Sequence, residues 1–267
     1  QPMPIENMLY VDLVISRAEG IQKSAVSAVN KLCSALELDG DSVSFDVTSQ
    51  MLSPSAVEKR LMSEVASAQL KEEERAEEGG GEEVQTEGLK AAALKIQDAL
   101  VVTVIFDAKV YSDATERMLG LISKDETVME ESTSCGWEKS VVFERSGPSG
   151  GVGVYCHVTM EGEDDGVDFT PDGEYPFVIA FHTLQSSKAR TGLQAAWSEY
   201  RSANTSKQRQ AALSRGRRLV DVVEVPTGAK TVLTHRWMHG KVPRTGSLSD
   251  VFMDELQGMY LSVGSGL

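Results

Sequence analysis

The sequence predicts an α+β fold: a mixed α/β part over residues 1–125, followed by a β-rich, sandwich- or barrel-like part over residues 126–267 that carries two helices. Three observations predict it. Strand and helix periodicities alternate in the first part. A nearly uninterrupted apolar run, Leu100-Val101-Val102-Thr103-Val104-Ile105-Phe106, stands in its middle. From about Glu126, short alternating segments separated by Gly, Pro and Asp clusters take over.

Taken in order, Met8 to Ser16 reads as a strand through Leu9, Val11, Leu13 and Ile15. Ile21 to Leu38 places Val26, Val29, Leu32, Cys33 and Leu36 on one helical face. Ser42 to Thr48 alternates Val43, Phe45 and Val47 after the break at Gly40. Pro54 opens a helix with a Val57, Leu61, Val65 stripe, which runs into an acidic, Gly-rich loop at 71–88. Leu89 to Asp98 is helical, Ala99 to Ala108 is the central strand with both faces covered, and Asp113 to Ile122 is a short helix with Met118 and Leu121 inward. The second part carries strands at Lys139 to Arg145, Val152 to Met160, Tyr175 to Leu184, Arg218 to Val225 and Lys230 to His239. Its helices are Thr191 to about Ser214, broken near Asn204-Thr205-Ser206, and Leu248 to Tyr260.

At 267 residues, 41% apolar and 25% charged, the chain can bury a sizeable core and is neither fibrous nor wholly disordered. No apolar run approaches the roughly 20 residues that span a bilayer, so no membrane span is expected. Cys33, Cys135 and Cys156 are odd in number and lack C-x-x-C spacing, against both a disulfide scaffold and a zinc site. They favour a reducing interior compartment or particle. The start at Gln1, with neither a basic n-region nor an apolar h-region, leaves the expectation that any targeting peptide has already been removed.

Gly147-Pro148-Ser149-Gly150-Gly151 spells the G-x-S-x-G of a hydrolase nucleophile elbow, and Asp168 and His182 follow in triad order. An elbow needs a strand-to-helix turn, however, and Val152 to Met160 is another strand, so a hairpin is the better reading and a Ser149 hydrolase the minor alternative. The same glycines lack the Lys and Ser/Thr of a phosphate-binding loop. His235 and His239 share one side of a segment with Trp237 between them, but no further ligand at metal spacing accompanies them. His182 and His157 read as packed or hydrogen-bonded residues. The acidic stretch from Glu161 to Glu174 lacks the spacing of a calcium loop and reads as a solvated hairpin connection. No cofactor is called for.

The strongest signal is electrostatic. Lys188, Arg190, Arg201, Lys207, Arg209, Arg215, Arg217 and Arg218 form a basic helical insertion at 188–218 with Trp197 inside it, in a chain of formal charge −14. Glu72, Glu73, Glu74, Glu77 and Glu78 form the acidic counterpart. Opposite charges suit contact with other protein subunits, including copies of this chain, ahead of a nucleic acid. Extended ends, Gln1 to Pro4 and Ser262 to Leu267, fit arms lying on neighbours. The expectation is therefore a non-catalytic structural or assembly subunit of a large complex, such as a virus-particle component or an accessory subunit of an organellar machine.

Overall fold

The computed structural model describes residues 5–38, 40–76, 85–137, 139, 141–143, 148–162 and 173–233. The chain begins with a long helix α1 (Ile5–Ser34), then short strands β1 (Glu37–Leu38) and β2 (Asp41–Ser42), strand β3 (Phe45–Met51), and helices α2 (Pro54–Ala76) and α3 (Gln85–Leu94). Strand β4 (Leu100–Phe106), helix α4 (Tyr111–Ile122), and strands β5 (Met129–Cys135), β6 (Val141–Phe143) and β7 (Pro148–Gly150) follow. The described part ends with β8 (Val154–Glu161), β9 (Glu174–Thr183), α5 (Leu184–Ser202) and α6 (Ser206–Asp221). The fold is α+β.

One five-stranded sheet, in the order β3-β4-β9-β8-β5, organises the molecule. β4 and β9 run parallel, and the other neighbours are antiparallel. Strands from both sides of residue 126 therefore pair in one sheet, instead of the later strands closing into a sandwich or barrel of their own. The apolar run of β9, Phe177-Val178-Ile179-Ala180-Phe181, is buried on both faces, and such a strand takes the centre of a sheet with partners on each edge.

Strand geometry sends alternate side chains to opposite faces. The first face carries Leu100, Val102, Val104 and Phe106 of β4, with Phe177, Ile179 and Phe181 of β9 and Val154, Cys156 and Val158 of β8, all buried. α1 packs there, and its Gln22 amide donates to Ser49 Oγ on β3 at 3.1 Å. Tyr111 at the start of α4 donates to the Phe181 carbonyl at 2.9 Å and accepts from Trp137 Nε1 at 3.1 Å, while the Phe106 and Phe181 rings stack with centroids 6.3 Å apart.

Several sequence expectations are corrected. Met8 to Ser16 is not a strand but the first turns of α1. Val11, Val14, Ala18, Ile21, Ala25 and Val29 form one continuous buried stripe at helical spacing, and no proline interrupts it. Arg218 to Val225 is not a strand either. α6 continues to Asp221 because Ala212, Gly216 and Val220 bury one helical face against α5, and Gly192 and Gly216 let Leu219, Leu193 and Phe143 come close. Residues 227–231 form turns leading to a short helical stretch, so no strand begins at Lys230. β5 adds a strand that the sequence reading passed over. The break expected near Asn204 is present between α5 and α6, capped by Thr205 and Gln208 in a reciprocal box. The expected helix at Leu248 to Tyr260 and the terminal arms lie outside the described residues.

Candidate functional site

The second face of the sheet differs from the first. β4 was expected to be covered on both faces, yet Val101, Thr103 and Ile105 are only half-buried. The strand registers arrange this face in rows across the sheet. One row runs Gln50, Val101, Val178, His157, Ser132; the next runs Thr48, Thr103, Ala180, Tyr155, Ser134; a third holds Asp46, Ile105 and His182. Five strands at about 4.8 Å spacing make each full row roughly 19 Å long. Gln50, Thr48 and Asp46 are exposed at one edge and Val178, Ala180 and His182 are buried in the middle. His157, Tyr155 and Ser132 rise half-buried on the other side. The result is a face with a buried apolar centre between polar flanks, the candidate groove.

α5 closes one end. It starts where β9 stops, with Thr183 as its N-cap: the Thr183 hydroxyl accepts from the Ser186 N–H, and the Ser186 hydroxyl accepts from the Thr183 N–H. His182 Nδ1 lies 3.0 Å from Ser186 Oγ. One turn further on, Arg190 donates to Tyr155 Oη at 3.0 Å with its guanidinium carbon 4.7 Å from the ring centroid. The Tyr155 and His182 rings meet edge to face at 5.6 Å. Gly153 makes the approach possible: its φ is 148°, and a Cβ there would stand 2.7 Å from His182 Cε1.

The other end holds an ion pair and a histidine. Arg60 of α2 bonds Asp98, which stands just before β4. Burial pushes the His157 imidazole below its usual value, while the Asp98 carboxylate pulls it back up. His157 Nδ1 is buried and bonds no described residue. A buried polar nitrogen left in this way costs free energy unless something pairs with it. Beside it, Thr159 Oγ1 donates to Glu174 at 3.3 Å. This face thus offers an imidazole, the Arg190 guanidinium at its α5 end, the Arg60–Asp98 pair near the start of β4, and hydroxyl and amide groups along its flanks. Among the described residues no group of three or more His, Cys, Asp or Glu could hold a metal ion, and no helix is long and apolar enough to cross a membrane.

The residues singled out in the sequence fall elsewhere, except His182, Arg190 and His157. Ser149 lies on β7 opposite Val142, in a two-stranded hairpin, whereas the His182 ring meets Ser186. Asp168, His235 and His239 lie outside the described residues. Lys188, Arg201, Lys207, Arg209, Arg215, Arg217 and Arg218 are exposed on α5 and α6; of the basic segment only Arg190, with Trp197, is half-buried. Glu72, Glu73 and Glu74 belong to the last turns of α2, and Glu77 and Glu78 lie outside the described residues. His157 was read as a packed residue. The signal that marks it is the alternation Tyr155, His157, Thr159 against Val154, Cys156, Val158, which shows one face of β8 left polar.

No family model matches the sequence, and no curated protein matches it. Among solved structures, the chain is similar to the small alarmone synthetase 1 of Bacillus subtilis, at 8% identity and a TM-score of 0.48, over 86% of this chain and 98% of that one. A GTP pyrophosphokinase family protein of Streptococcus pneumoniae is similar at 12% identity and a TM-score of 0.44, over 90% and 100% of the two chains. The small alarmone synthetase 2 of Bacillus subtilis is similar at 12% identity and a TM-score of 0.44, over 85% and 97%. Those proteins are named as synthetases and a pyrophosphokinase, not as particle components. The expectation of a structural or assembly subunit is corrected accordingly. The charge pattern behind that expectation also has internal uses: Arg215 pairs with Glu199 at 2.5 Å, Arg201 lies over Trp197 at 5.2 Å, and Arg190 serves Tyr155.

Proposed function

We propose that the groove on the second sheet face binds a nucleoside phosphate and that His157 is its acid–base group. The observation that carries the reading is the buried, unpaired Nδ1 of His157 in the wall of a groove whose floor is apolar. A planar base suits the half-buried Val101 and Ile105; ribose hydroxyls suit Thr48, Gln50, Thr103, Ser132 and Ser134. Burial disfavours the charged form of His157, so its ring can accept a hydrogen bond or a proton from a ligand hydroxyl.

Calorimetric titration with GTP and with ATP tests it. Saturable binding at micromolar to millimolar concentration is expected, weakened about tenfold or more in His157→Ala at unchanged thermal stability. Equal affinity in the variant, or no binding to the natural chain, contradicts the proposal.

A further inference from the structure

The basic segment contains one residue that behaves unlike the rest. Lys188, Arg201, Lys207, Arg209, Arg215, Arg217 and Arg218 are exposed, whereas Arg190 is half-buried against the sheet. Its guanidinium donates to a phenol oxygen and lies by the same ring. Among the described residues no carboxylate pairs with it; the ion pairs are Arg60 with Asp98 and Arg215 with Glu199. A half-buried guanidinium without a counter-ion is costly, the more so in a chain of formal charge −14 that has carboxylates in plenty. The fork has five N–H donors, and the phenol oxygen engages one end of it.

Position adds to this. Tyr155 is two residues from His157 on the same face of β8, so its partner Arg190 stands at the α5 end of the groove that His157 walls. Arg60, at the opposite end, is already neutralised by Asp98. The two guanidinium groups of the groove are therefore not equivalent, and the one with unmatched charge is at the α5 end.

We infer that Arg190, held by Tyr155, is the anion-recognition residue of the groove, so that the ligand's phosphate end points toward α5 and its nucleoside end toward Asp98. This rests on the nucleoside-phosphate reading and adds the ligand's direction to it. Tyr155 fixes the guanidinium plane, leaving the outer N–H groups to meet two phosphate oxygens side by side.

The test is a binding series of guanosine, GMP, GDP and GTP on the natural chain and on Arg190→Gln, Arg190→Lys and Tyr155→Phe, with thermal unfolding of each. In the natural chain affinity climbs with phosphate number. In Arg190→Gln that climb flattens: GTP binding falls on the order of tenfold to a hundredfold while guanosine binding is unchanged. Arg190→Lys keeps the charge without the fork and restores part of the climb. Tyr155→Phe keeps the guanidinium but loosens it and gives an intermediate loss. An Arg190→Gln variant that stays folded and keeps the full climb overturns the inference, even though nucleotides bind and the groove reading survives. If the natural chain binds no nucleotide, inorganic tripolyphosphate decides: binding lost in Arg190→Gln supports the anion subsite by itself, and no binding overturns it.

Discussion

The Nδ1 atom of His182 lies 3.0 Å from the hydroxyl of Ser186, so the last turn of β9 and the first turn of α5 are tied by one side-chain contact beneath the capping box. His182 is almost fully buried. Burial first, and then the positive charge of Arg190, hold the imidazole down at about 3, against the opposing effect of a hydrogen bond with the Val152 backbone. An unfolded histidine titrates near 6.5.

A folded-state value below the unfolded one means that the unfolded chain binds more protons between the two. The contribution is complete above about pH 6.5 and is lost as pH falls toward 3. We predict that urea-unfolding stability falls by up to about 1.4 kcal/mol per pH unit from this residue over that window. His182→Gln flattens the acid limb by that slope; an unchanged limb contradicts the assignment.

Gly153→Ala is expected to destabilise the chain by about 2–4 kcal/mol. The backbone there is left-handed, at φ 148°, and a Cβ would stand 2.9 Å from the Phe181 carbonyl oxygen, which cannot swing away as a side chain could. Gly40, at φ 89° with nothing within 4 Å, isolates the conformational part, so Gly40→Ala should cost only about 1–2 kcal/mol. Chemical denaturation of both variants checks the difference.

Tyr111→Phe removes a donor to Phe181 and leaves Trp137 Nε1 without its acceptor, both in the core. A loss of about 1–3 kcal/mol follows, with a changed near-UV signal from Trp137, whose ring stands edge-on to Tyr111 at 5.2 Å.

Asp98 is the negative charge that keeps His157 from falling further. In Asp98→Asn, proton NMR titration should show the His157 value lower than in the natural chain, because the opposing carboxylate is gone and Arg60 keeps its charge. Arg60→Gln should move it the other way. Unchanged values in both would separate the ion pair from the histidine.

The fold was legible where one period dominated. β4 and β9 are apolar runs too short for most helices, α4 carries a clear stripe, and the break between α5 and α6 carries a capping box. α1 was missed at its start because Leu9, Val11, Leu13 and Ile15 fit a strand locally, and only the stripe continuing through Ala18 and Ile21 to Val29 decides for helix. β5, Met-Glu-Glu-Ser-Thr-Ser-Cys, shows no hydrophobic alternation because it is an edge strand, with a register shift between Glu130 and Ser132. The groove was not legible because its parts come from five strands and α5, and only pairing registers bring Gln50, Val101, His157 and Ser132 into one row. The basic segment drew attention by its charge count, yet the residue aimed at the sheet, Arg190, differs from the others in burial, which the sequence does not display.

The most direct test of the groove reading is the NMR signal of the His157 imidazole during titration with GTP. The account predicts a saturable shift of that signal, because the nucleoside end of the ligand lies against the ring. GTP that binds without moving the His157 signal, or that does not bind, would contradict it.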